Sequence, residues 1–105
     1  MDMTLAYITC KDGKEAQKIS MHLLKKKVIV CANIFPIKSM YWWKYEIVNE
    51  DEFAIIAKTN NKNFKKLEKE VKRVHSYKIP CILKIDAEAN KEYELYYQKL
   101  NKLQF

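Results

Sequence analysis

The feature that most constrains this chain is the run Val28–Ile47, where β-branched and aromatic residues accumulate far beyond the length of an ordinary strand. Pro36 falls inside it and cannot donate to a ladder, so it belongs at a sheet edge or a bend. One long strand bent near Pro36 is the reading. Asn49, Glu50 and Asp51 supply a polar turn, and Glu52–Thr59 (EFAIIAKT) returns as the partner strand of a long hairpin. Tyr41, Trp42 and Trp43 sit on that hairpin, and strand alternation sends Trp42 and Trp43 to opposite sides.

Shorter signals frame the hairpin. Met3–Thr9 reads as a first strand, closed by a Lys11-Asp12-Gly13 turn. In Lys14–Lys27, Ala16, Ile19, Leu23 and Leu24 recur at helical spacing, and Lys25, Lys26 and Lys27 follow where the helix dipole favours positive charge. Asn60–Asn63 offer N-caps for a second helix whose apolar positions are Phe64, Leu67, Val71 and Val74. Pro80 precedes a strand over Cys81–Asp86, and a third helix spans Asn90–Lys102, leaving a tail at Leu103–Phe105. The order βαββαβα makes two βαβ-like halves sharing one sheet, an α+β ferredoxin-like sandwich. That fold hosts RNA-binding, effector-binding, metal-handling and catalytic proteins alike, so function must come from the residues.

The 105 residues carry no composition break, linker or repeat, so the whole span 1–105 reads as one domain. The start lacks the apolar core of a secretion signal, and no apolar run is long enough to span a bilayer. A cytoplasmic protein with no membrane partner is the expectation. Three cysteines, Cys10, Cys31 and Cys81, lack both the even count of a disulfide framework and the spacing of a structural zinc site. The net charge of +7 rests almost wholly on lysine, with Arg73 the single arginine, which favours a solvated surface over base or phosphate reading. No strand has the basic-aromatic pattern of an RNA-recognition motif, so no nucleic acid is expected. Nor is an enzyme, because the single glycine, Gly13, rules out a phosphate-cradling loop and no nucleophile or metalloprotease motif occurs.

Three segments carry a family likeness. Cys31-Ala32-Asn33-Ile34-Phe35-Pro36-Ile37-Lys38-Ser39-Met40-Tyr41-Trp42-Trp43, Ala57-Lys58-Thr59 and His75-Ser76-Tyr77-Lys78-Ile79-Pro80 resemble, in that order, motifs of the CutA divalent-cation-tolerance family. The sequence departs from the family pattern at four places. Lys11 stands for a common Pro, Lys44-Tyr45 for the usual Glu-Gly, Ser76 for Pro, and Cys81 for a Glu found in many members. The resemblance implies a homotrimer joined through the hairpins, with Tyr41, Trp42 and Trp43 at the trimer interface and copper or zinc as the ion.

Among imidazole and thiol side chains, His75 and Cys81 lie six residues apart around the second-helix exit, and Cys10 approaches if the first strand ends nearby. Thiolate with imidazole suits Cu(I) or Zn(II) over Mg or Ca. The competing reading gives His75 to helix capping and Cys81 to the core, with His22 a bystander. A second functional class is a regulator like the trimeric PII proteins, holding a small-molecule effector in an inter-subunit cleft of Tyr41, Trp43, Lys58 and Tyr77.

Overall fold

The computed structural model describes residues 3–104. Seven elements follow one another: β1 (Met3–Cys10), α1 (Gly13–Lys25), β2 (Cys31–Trp43), β3 (Glu46–Thr59), α2 (Phe64–Val74), β4 (Ile82–Ala87) and α3 (Lys91–Gln104). The strands form one sheet in the order β2-β3-β1-β4, and every neighbouring pair is antiparallel. This is the ferredoxin-like α+β arrangement that the element order implies.

Alternation along the central strands divides the sheet into two unlike faces. Ala6, Ile8 and Cys10 of β1 and Ile55 and Ala57 of β3 point to one face, where Ala16, Ile19 and Leu23 of α1 and Leu67 and Val71 of α2 close over them. All ten are fully buried. Leu5, Tyr7 and Thr9 point the other way, and Leu83 and Ile85 on β4, the cross-strand partners of Tyr7 and Leu5, remain exposed at 51% and 43%. At one end that second face meets α3, whose Tyr93 ring lies 4.9 Å below the Lys58 ammonium. Tyr97 donates to the Thr59 carbonyl at 2.6 Å and anchors α3 to the end of β3.

The termini of α1 show local chemistry overriding residue type. Asp12 accepts from the Glu15 amide at 2.8 Å while Glu15 accepts from the amide of Lys11, one residue before the cap, at 3.1 Å, a variant of the reciprocal capping box. At the other end Lys27 takes a left-handed backbone, φ 60°, where glycine is usual. The Lys27 and Val28 amides then reach the Leu24 and Leu23 carbonyls, completing a Schellman motif.

The hairpin differs from the sequence reading in its turn. Asn49, Glu50 and Asp51 are paired strand residues opposite Met40, Ser39 and Lys38, and the chain reverses at Lys44-Tyr45. Both carry positive φ, 47° and 70°, as a two-residue turn matched to strand twist requires. Polar residues fit strand positions here because this part of the hairpin is exposed on both sides, and Lys38 pairs with Asp51 at 3.0 Å. Pro36 lies on β2, an edge strand, and β2 is continuous through it. The first strand reaches Cys10, β2 begins only at Cys31, and α3 runs on to Gln104, so of the expected tail only Phe105 lies outside the described residues.

Candidate functional site

Two adjoining places hold the chemistry. The first is polar and buried. Cys10 ends β1, Glu15 stands in the first turn of α1, and His75 caps the C-terminus of α2. The sheet brings these three ends together, so that one ligand-type atom from each lies within 4.8 Å of the others.

Two of those groups, Glu15 and His75, already hold hydrogen bonds. The Thr9 carbonyl can only accept, so its 2.7 Å contact with His75 Nε2 puts the ring proton on that nitrogen. His75 Nδ1 then accepts from the Tyr77 amide at 3.0 Å. Glu15 Oε1 accepts from the Lys11 amide and Oε2 from the Ser76 amide. Burial alone would raise the Glu15 pKa, but the Ser76 and Lys11 bonds, with His75 beside them, bring it below the ordinary carboxylate value. Burial, reinforced by the negative charges of Glu15, Glu52 and Asp12, pushes the Cys10 thiol up to about 12. The residue types suit a soft or borderline ion, yet an ion here must exchange with existing hydrogen bonds and a thiol proton.

The second place is an apolar groove of about 710 Å3 between the hairpin and the α2–β4 connection. Tyr41, Trp43 and Val48 form the hairpin wall, and Tyr77, Ile79 and Cys81 the opposite one. Two carboxylates hold its phenols: Tyr77 donates to Glu52 Oε2 at 2.6 Å and Tyr41 to Glu50 Oε1 at 2.9 Å. Burial first, then the Glu52 bond, raises the Tyr77 pKa, and the Glu50 bond does the same at Tyr41. Thr9 and Tyr77 belong to both places, since each bonds His75 and each lines the groove.

Within one chain, two of the expected groupings do not form. Cys81 is exposed on the groove and absent from the Cys10–His75 group, because the 75–80 turn leads it out to the far side of Tyr77. Lys58 is not in the groove. It pairs across from Cys31, ten residues along β3 from Val48, a separation of roughly 33 Å in an extended strand, and its ammonium donates to Cys31 Sγ at 3.9 Å. Trp42, unlike Trp43, is not among the groove residues, in keeping with their alternation. Glu15 was missed by sequence reading, although the Asp12-x-x-Glu15 spacing of a capping box marks it. His22 is no bystander, since it bonds Glu70 Oε1 at 2.9 Å and ties α1 to α2.

Comparison with known proteins fixes the lineage. Residues 4–99 match the model of the CutA1 divalent ion tolerance protein family. This chain belongs to the CutA1 family. Among CutA1 relatives, the divalent-cation tolerance protein CutA of Archaeoglobus fulgidus is 48% identical over 82 residues, 78% of this chain and 80% of that one. The Thermotoga maritima protein of the same name is 41% identical over 86 residues, 82% of this chain and 85% of its own. The solved A. fulgidus structure, a periplasmic divalent cation tolerance protein CutA, superposes with a TM-score of 0.87 at 41% identity, covering 94% of this chain and 98% of that chain. CutA1 from Ehrlichia chaffeensis also gives 0.87, at 36% identity and 95% coverage of both. No described helix of this CutA1 chain is long and apolar enough to cross a membrane.

Proposed function

We propose that this chain acts as a homotrimeric, non-catalytic divalent-cation tolerance protein that takes up copper or zinc at Cys10, Glu15 and His75. The observation that carries the reading is the meeting of one thiol, one carboxylate and one imidazole within 4.8 Å, a mixed S/O/N donor set suited to such ions. Because His75 is engaged at both ring nitrogens at rest, ion uptake frees the Tyr77 amide from His75 and displaces a wall of the groove. The cluster is then the ion-responsive element and the groove its readout.

Trimer formation is supported by apolar surface that one chain leaves bare. Met40, Trp42 and Ile47 on the hairpin and Leu83 on the open sheet face are each more than half exposed. The three cysteines are all free thiols, which supports a reducing cytoplasm, while the periplasmic A. fulgidus relative supplies the contrary case for cell fractionation to judge.

The groove itself supports a second reading, a regulator that binds a small apolar or aromatic effector, because its size and aromatic walls are those of a ligand site. Native mass spectrometry during titration with Cu(I) or Zn(II) separates the two. The first reading expects a trimer with one ion per chain, and loss of that ion in both Cys10→Ser and His75→Ala. Equal ion uptake by the parent and both variants overturns the cluster as the site, and a monomer overturns the assembly.

A further inference from the structure

At the end of the molecule defined by the α1 exit and the β3–α2 connection, a basin of about 490 Å3 is lined by Lys26, Lys27, Lys62 and Lys66. Asn60, Asn63 and Asn101 complete its lining, and among the described residues that lining contains no acidic and no aromatic side chain. The sequence gives no hint of this convergence. Lys26 and Lys27 end one helix, whereas Lys62 and Lys66 flank the start of another, and the fold brings the two pairs together.

Four ammonium groups around one concavity repel one another, and the usual remedy is a nearby carboxylate. Among the described residues none of the four forms a salt bridge, and of the acids on α2 Glu68 is held by Lys65 and Lys72 while Glu70 is held by His22 and Arg73, with Lys26 adding only to the field at Glu70. The first turn of α2 also has no acidic residue, and its N-cap, Asn63, makes no side-chain bond to the helix. The positive end of that helix therefore adds to a field that the lysines set.

We infer that this basin binds a linear polyphosphate chain, either free or as the triphosphate tail of a nucleotide. A single phosphate supplies about two negative charges against four lysines, whereas a tri- or longer phosphate matches them in number. Lysine suits this task as a point-charge partner that does not demand bidentate geometry. The described lining offers no aromatic ring on which a base would stack, which favours the free chain over single-stranded nucleic acid. The basin is separate from both the Cys10–Glu15–His75 cluster and the apolar groove, so its fate does not depend on the function proposed above.

Isothermal titration with inorganic tripolyphosphate at low salt tests this directly. One tripolyphosphate per chain is expected, with affinity reduced about tenfold or more in the double variant Lys62→Gln/Lys66→Gln and unchanged in Lys44→Gln at the distant hairpin turn. Both lysines of the double variant are exposed, so its thermal midpoint in the absence of phosphate should match the parent. Parallel titrations with ATP and orthophosphate assign the source: ATP equal to tripolyphosphate indicates a nucleotide tail, and ATP much weaker indicates a free chain. No binding, binding equal to that of orthophosphate, or an equal loss in Lys44→Gln overturns the inference.

Discussion

The Cys10–Glu15–His75 cluster and the groove beside it share Thr9 and Tyr77 yet follow opposite rules. In the cluster the bonding atoms of Glu15 and His75 are engaged and the Cys10 thiol is buried and held protonated, so the polar groups support one another and lock three chain ends. In the groove, apolar side chains stand open: Ile79 is 86% exposed and Trp43 60%. The lesson is that stability and recognition are divided at Tyr77, whose amide belongs to the lock and whose ring belongs to the groove. Cluster residues should therefore register in folding experiments and groove residues in association experiments.

The largest test of that division is His75→Ala. It removes two hydrogen bonds and leaves the Thr9 carbonyl and Tyr77 amide without partners, so urea denaturation should show a loss of about 2–3 kcal/mol. A loss no greater than that of a groove variant would erase the distinction.

An intermediate effect is expected from Cys10→Ala in alkali. The unfolded chain releases the thiol proton near its ordinary value of 9.0, whereas the native chain holds it to about 12. Between those values the unfolded state binds fewer protons, so native stability falls as pH rises. The alanine variant lacks this contribution, and its denaturation midpoint should decline less between pH 9 and 12. Parallel decline would show that the thiol is not held protonated.

The smallest effect belongs to Tyr41→Phe, which deletes an exposed bond to Glu50 and should leave the denaturation midpoint unchanged within error. A clear loss there would mean that the groove wall is part of the folding unit.

The fold was legible because its apolar residues obey the periods of their elements. Ala16, Ile19 and Leu23, and likewise Leu67 and Val71, occupy the buried faces that helical spacing assigns them. The hairpin turn was not, because Lys44-Tyr45 fills a left-handed turn usually marked by glycine or asparagine, while the polar run Asn49–Asp51 imitates one. The usual family Glu-Gly at that place was the available signal. In the site, Cys10 and His75 were legible as ligand types, and their meeting depended on where β1 ends. Within one chain Cys81 and Lys58 stand apart from their expected companions, because closeness in sequence or shared membership of a motif does not give a side chain its direction, and strand pairing carries Lys58 to the far end of β3.

The two-residue reversal at Lys44-Tyr45 also limits how the hairpin can change in length. Each arm is paired residue for residue from Trp43–Glu46 down to Cys31–Lys58. One residue added to a single arm would either bulge or turn that arm's distal side chains over, moving Trp43 out of the groove and Trp42 into its place. Insertions that keep both the pairing and the facing of Trp43 must therefore add two residues to each arm, so that the reach of this hairpin is adjustable only in steps of two rungs.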